Sequence, residues 1–266
     1  MAGACTGVVK IYWTATGEVH ALKGIDATFP AGAVTAVVGP SGSGKSSLLR
    51  ILAGLDHATA GSVRVGNADL GGLGRRRLRK MRRSLVGYVF QRPADNLISY
   101  LSVIEHVRLA AHLRGLRGRH QGEDVLAALG LDKRLHNLPR QLSGGEQQRL
   151  AFAQAVVGGP ALVVADEPTA ELDSETAAAL VASVAALAAA GSTFVVSTHD
   201  PDVVRASDQV LALRHGALEA ETRLDRRLSV IDEAGRIQLP PEALKLFPGR
   251  RAEIAVEDGH VRIDPP

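Results

Sequence analysis

The chain has 266 residues, 45% hydrophobic and 22% charged, with a net charge of +3, which suits one large globular α/β domain plus a small appendage. A single cysteine, Cys5, excludes an intrachain disulfide. The opening MAGACTGVVK lacks a basic segment followed by an apolar one, and the longest apolar run, Ala177 to Ala190, is broken by Ser183. A soluble chain with neither signal peptide nor membrane span is therefore expected, so that any membrane work goes through a partner.

Val8 to Phe29 reads as strand, turn and strand, with Gly17 and Gly24 as breaks. Ala33 to Val38 is a short buried β run that leads into a glycine-rich loop and a helix carrying Leu48, Leu49 and Leu52. Ser62 to Val65 is a strand. Leu78, Met81 and Leu85 share one helix face, which places the basic run Arg75 to Arg83, seven cations with no acid, on an amphipathic helix. Leu85 to Phe90 is β, and helices are expected from Ser102 to Leu116, Glu123 to Leu129 and Gly145 to Val157. Ala161 to Ala165 is a buried strand, Ser174 to Ala190 a long helix ended by Gly191, and Thr193 to Ser197 and Val210 to Leu213 are strands. Strands alternating with helices imply a mostly parallel sheet covered on both faces. After about Asp225 the pattern changes. Leu228 to Asp232, Arg236 to Leu239, Ala252 to Val256 and Val261 to Ile263 read as short strands, with a helical turn, Glu242 to Leu246, between the pairs.

The run Gly39-Pro40-Ser41-Gly42-Ser43-Gly44-Lys45-Ser46 is a complete phosphate-binding loop between a strand and a helix, the context the motif requires. Its glycines let backbone N–H groups turn toward phosphate oxygens, and the helix start adds its positive end. Lys45 is positioned to reach the β- and γ-phosphates of a nucleotide, Ser46 to hold Mg²⁺ and Ser47 to add an α-phosphate contact. Val163 to Ala165 runs into two carboxylates. Asp166 is expected to hold Mg²⁺ through water, and Glu167 to polarise the attacking water as general base. Alone, the pair reads better as a solvated acidic strand end; the phosphate loop before it reverses that preference. In Leu142-Ser143-Gly144-Gly145-Glu146-Gln147, Ser143 can cap a helix while its hydroxyl and the glycine N–H groups face an anion. A chain with one phosphate loop has no need of a second phosphate-binding helix start unless a second copy supplies it across an interface.

In this order the motifs resemble those of ABC (ATP-binding cassette) ATPases over about Val8 to Leu218. GPSGSGKSS resembles Walker A, LSGGEQQR the signature and VVADEP Walker B. Gln91 after Tyr88-Val89-Phe90 is similar to the Q-loop glutamine, Ala170-Glu171-Leu172-Asp173 to the D-loop, and His199 to the switch histidine. The resemblance implies a P-loop NTPase fold for residues 1–225: a mostly parallel sheet, an antiparallel β part and a helical subdomain at about 92–157. It implies ATP and Mg²⁺ as cofactors, bound by Tyr12, Gly39, Ser41, Gly42, Ser43, Gly44, Lys45, Ser46 and Ser47, with Ser143, Gly144, Gly145 and Asp173 completing the site in a homodimer. Gln91 then approaches Mg²⁺ with Ser46 and Asp166 and senses the transporter surface. His199 holds the γ-phosphate and orients the water of Glu167, and Lys45, Gln91, Glu167 and His199 form the catalytic set. Tyr12 stacks on adenine, or is only a strand residue beside Trp13.

The spacing of VKIY, GEVHALKGID and ILAGLDHATAG most resembles the MacB/LolD/FtsE-type subfamily. That likeness implies transmembrane permease partners of the MacB/LolC/FtsX kind and a place on the cytoplasmic face of the membrane. The chain departs from the subfamily in a Q-loop stretch, Gln91 to Leu97, longer by about two residues, and in Gln154 and Glu171, which stand where other residues are common. Residues 226–266 form a small β-rich unit, where Ile231 to Pro240 faintly resembles an AbrB/MazE-like swapped hairpin. Seven basic and seven acidic residues leave this unit neutral, so a dimer clamp or a tail packed on its own domain is expected rather than specific DNA binding. The alternative is a soluble ABC ATPase with a regulatory or nucleic-acid-linked role through the basic cluster or the tail.

Overall fold

The computed structural model describes residues 1–15, 17–116, 122–223, 226–229, 245–247, 252–257 and 260–264. β1 (Gly3–Thr14) and β2 (Gly17–Phe29) form an antiparallel hairpin, extended by β4 (Ala60–Val65) and the two-residue β5 (Ala68–Asp69) in the order β2-β1-β4-β5. Gly24 does not break β2. It sits at φ 84° in a bulge, where the register steps from Val8↔Ile25 to Val9↔Lys23, so one residue is absorbed without ending the strand.

Among the described residues, the main sheet has seven strands. β3 (Val34–Val38), β6 (Val86–Val89), β7 (Leu162–Asp166), β8 (Phe194–Ser197) and β9 (Gln209–Arg214) run parallel in the order β9-β3-β8-β7-β6. β10 (Ala217–Arg223) and β11 (Arg226–Ser229) add antiparallel strands at the β9 edge. The first tail strand therefore begins at Arg226 and continues this sheet; it does not start at Leu228. β12 (Glu253–Glu257) and β13 (His260–Asp264) pair as a hairpin where the last two tail strands are expected. The expected strand Arg236 to Leu239, the swapped-hairpin likeness of Ile231 to Pro240 and most of the turn Glu242 to Leu246 lie outside the described residues.

Two apolar cores flank the sheet. In the first, α1 (Lys45–Leu52) buries Leu48, Leu49, Ile51 and Leu52 between the antiparallel sheet and the central strands. Each such side chain contributes about 1.5–3 kcal/mol on leaving water. α2 (Arg75–Leu85) seals that core with Leu78 and Met81. In the second, α3 (Val103–Leu113), α4 (Glu123–Ala128), α5 (Gly144–Val156) and α6 (Ser174–Ala189) cover the opposite face around Phe152, Leu126, Leu131 and Phe194. Among the described residues of 92–157, all regular structure is α-helical or 3₁₀. The short α7 (Pro201–Arg205) follows β8.

Arg114, just past α3, ties these layers together. Its guanidinium donates to the carbonyls of Gln154, Ala155 and Val157 at the end of α5 and to Val86 of β6, at 2.8–3.2 Å. A cation there complements the negative end of the α5 dipole. Arg114→Met should therefore lower stability by about 3 kcal/mol in urea unfolding, because partly buried carbonyls lose a charged donor. An unchanged midpoint would show that water replaces the guanidinium without cost.

Candidate nucleotide site

The loop after β3 folds as its glycines require. Gly39 has φ 145°, and a Cβ there would stand 2.0 Å from the Leu213 carbonyl oxygen; Gly44 has φ 105°, with a Cβ 2.5 Å from the Ala21 carbonyl oxygen. Any side chain at either position would push the loop off the sheet edge. Lys45 at the start of α1 turns its ammonium back under this loop. Nζ donates to the Gly39 carbonyl at 2.7 Å and the Pro40 carbonyl at 3.4 Å, and lies 3.1 Å from His199 Nε2.

Of the two carboxylates at the end of β7, Glu167 meets this ammonium. Glu167 Oε1 is 4.0 Å from Lys45 Nζ and 3.2 Å from His199 Nε2, and Glu167 Oε2 accepts the His199 backbone N–H at 3.2 Å. Glu167 is one of two non-glycine residues with positive φ, at 45°, among the described residues. Such a conformation costs about 1–2 kcal/mol. It is held by the Glu167 N–H, which donates to both the carbonyl and the hydroxyl of Ser197, at 3.1 and 3.0 Å. The Ser197 hydroxyl in turn donates to Asp166 Oδ1 at 2.5 Å. Ser197 thus fixes both carboxylate residues.

Ser46 Oγ lies 3.3 Å from the same Asp166 oxygen. A hydroxyl and a carboxylate oxygen are the hard donors that Mg²⁺ takes, and that ion uses few protein ligands beside water and substrate phosphates. The donor set fits.

Ser41, Gly42, Lys45, Ser46, Gln91, Glu167 and His199 line one open cleft, with Thr169, Ala170 and Asp200 at its rim. Gln91 also lines the adjoining hollow with Ser46 and Asp166. Ser43 is buried beneath the loop, its carbonyl accepting the Gly216 N–H. Tyr12 stands at the side of α1: its hydroxyl donates to Asp56 at 2.9 Å and lies 3.4 Å from Ser47 Oγ, while Lys10 Nζ sits 4.7 Å over its ring. Burial works to raise the pKa of Asp56. Hydrogen bonds from Lys10, the His57 N–H and Tyr12 outweigh it and hold the carboxyl below its ordinary value.

Ser143, Gly144, Gly145 and Asp173 do not line this cleft. Ser143 caps α5 in a capping box with Glu146, and Asp173 caps α6 by accepting from the Thr176 N–H and hydroxyl at 2.9 and 2.7 Å. The two helix starts abut: a Cβ on Gly145 would lie 2.0 Å from Thr176 Cγ2. Ser143 and Gly144 remain exposed, so a second anion-seeking helix start is presented away from the first. Ser197, Asp56 and Lys10 were not singled out by the sequence. The only sequence signal for Ser197 is its place two residues before His199.

The sequence model described as ABC transporter matches residues 22–170, more than half of the chain. This chain belongs to the ABC transporter family. The cassette is 35% identical over 244 residues to a probable export ATP-binding/permease protein of Pseudomonas fluorescens, covering 91% of this chain and 37% of that protein. It is 39% identical over 221 residues to a macrolide export ATP-binding/permease protein MacB of Aeromonas hydrophila, covering 82% and 34%. The chain thus spans about a third of the length of these relatives. The lipoprotein-releasing system ATP-binding protein LolD of Chromohalobacter salexigens is 37% identical over 221 residues, covering 82% of this chain and 92% of LolD. Among solved structures, the dimeric ATP-binding cassette MJ0796 bound to ADP and Pi in a post-hydrolysis state superposes with a TM-score of 0.74 at 35% identity, covering 84% and 98%. The P-loop NTPase fold expected from the motifs is thereby established. No helix among the described residues is long and apolar enough to cross a membrane.

Proposed function

We propose that this chain binds and hydrolyses ATP as the motor subunit of a transporter, two copies closing around two ATP molecules to drive a membrane permease partner at the cytoplasmic face. The observation that carries this reading is the convergence of Lys45, His199 and Glu167 within 4.0 Å in one open cleft, beside the Ser46–Asp166 pair that borders the adjoining hollow. Lys45 binds the β- and γ-phosphates. Glu167 accepts the proton of the attacking water. His199 orients that water and holds the γ-phosphate, and Gln91 approaches from the other wall. Ser46 and Asp166 would hold Mg²⁺, which when bound neutralises phosphate charge. Tyr12 stacks on the base beside Ser47. Ser143, Gly144 and Gly145 of the second copy bind the far side of the nucleotide, and Asp173 links the two sites. The MacB and LolD relatives support a permease partner of that class, and the dimeric cassette supports pairing.

The purified chain should bind ATP and release phosphate. Lys45→Ala should weaken binding by about 30- to 150-fold, the loss of a charged hydrogen bond worth roughly 2–3 kcal/mol. Equal ATP affinity of the two proteins, measured by equilibrium titration, would remove the loop from nucleotide binding.

A further inference from the structure

The basic helix α2 is not explained by the nucleotide site. Leu78 and Met81 turn into the first core, and Leu85 packs against it. Arg76, Arg79, Lys80 and Arg83 stand at i, i+3, i+4 and i+7, so they form one stripe on the opposite face, and all four are exposed. Arg75 and Arg77 are exposed beside them. Arg82 is half-buried and donates to the Gly54 carbonyl at 3.4 Å.

This arrangement opposes helix stability. The first turn holds three cations with no acid and no side-chain cap, against the dipole. Within the stripe, Arg76/Lys80 and Arg79/Arg83 are like charges one turn apart. Among the described residues, none of the seven cations of α2 has an acidic partner. The whole chain carries +3 and α2 alone +7, so the remainder carries −4. The excess positive charge is thus gathered on one helix about 16 Å long. A helix so charged is stabilised by an anionic surface.

We propose that the outward face of α2 rests on an anionic phospholipid surface, its arginines pairing with headgroup phosphates. This rests on the proposed function, which puts the chain at the cytoplasmic face of a membrane, where the leaflet carries a negative surface potential. It adds a direct contact with lipid to the contact with a permease. Six of the seven cations are arginines, whose planar fork pairs phosphate oxygens bidentately. The stripe holds no apolar residue, so the contact is with headgroups alone and nothing enters the acyl layer, unlike a helix with an apolar face. The same lack disfavours a protein partner, whose interface core needs apolar anchors. A nucleic acid extends past so short a helix and would meet the net negative remainder of the chain.

The test uses the full chain and vesicles of phosphatidylcholine, alone or mixed with phosphatidylglycerol, in a co-sedimentation titration. Wild type should bind the mixed vesicles, not phosphatidylcholine alone, and release them as salt rises. Each cation near an anionic surface is worth about fivefold in partitioning. Arg76→Gln/Arg79→Gln/Lys80→Gln/Arg83→Gln should therefore bind about a hundredfold more weakly or worse. Lys23→Gln/Arg64→Gln/Lys133→Gln/Arg140→Gln removes the same charge from exposed sites elsewhere and should bind within a few-fold of wild type. The α2 variant loses like-charge repulsion, so its urea midpoint should not fall, and its ATP turnover without lipid should be unchanged because none of the four residues lines the cleft. Mixed vesicles should raise the midpoint of wild type and not that of the α2 variant. A wild-type chain that binds mixed vesicles without hydrolysing ATP would count against the proposed ATPase and support the lipid contact. The lipid contact is overturned if wild type ignores mixed vesicles, if the two quadruple variants bind them equally, or if random duplex DNA binds more tightly than vesicles at the same salt.

Discussion

Glu167→Gln should bind ATP like the wild type and hydrolyse it about a hundredfold to ten-thousandfold more slowly, the usual worth of a general base. The carboxylate is set by its surroundings: its backbone is pinned in the left-handed region by Ser197, and its two oxygens meet His199 Nε2 and the His199 N–H at 3.2 Å. Glutamine keeps that shape and one acceptor oxygen. It cannot take a proton from water. Because Lys45, Ser46 and Asp166 are untouched, phosphate binding persists. The nucleotide should then hold two copies together, so that ATP shifts the variant to a dimer on a sizing column. Single-turnover measurement of phosphate release separates loss of chemistry from loss of affinity. Turnover within a few-fold of wild type would remove Glu167 from the role of base.

The parts of this site that were legible in the sequence are those made by contiguous residues. A phosphate loop needs its glycines at fixed spacing, because Gly39 and Gly44 must pass within Cβ contact of the Leu213 and Ala21 carbonyls. β7 and β8 are short apolar runs ending in polar groups, so Asp166, Glu167 and His199 declared themselves at strand ends. What escaped was either very short or made by distant pairing. β5 has two residues and α7 five, fewer than a periodicity can reveal. β10 follows Gly216 and reads ALEAETR, a strand between β9 and β11 whose apolar alternation is weak. Gly24 read as a break because glycine's freedom serves a bulge and a turn alike. Ser197 and Asp56 act on residues 31 and 44 positions away, and a Lys10–Asp56–Tyr12 cluster leaves no local pattern. Gln154 and Arg114 show the same limit. The first approaches the Asn96 carbonyl at 3.5 Å and the second bridges α5 to β6, contacts that exist only once the helices pack.

The shared site is tested most directly by mixing two inactive proteins, Lys45→Ala and Ser143→Arg. The motivation is geometric: Lys45 lines the cleft, whereas Ser143 caps a helix outside it, so one chain presents two anion-binding helix starts and one base. In the proposed two-fold dimer each site would take Lys45 from one copy and Ser143 from the other. Either variant alone spoils both sites and should be nearly inactive. In a mixed dimer one site combines both lesions, and the other joins an intact Lys45 to an intact Ser143. Phosphate release should therefore reappear on mixing. With Glu167→Gln added to both chains, ATP-dependent dimers should reappear as well, which covers the case in which turnover needs two good sites at once. If folded, subunit-exchanging proteins recover neither hydrolysis nor dimerisation, the nucleotide is bound within a single copy and the shared-site account is wrong.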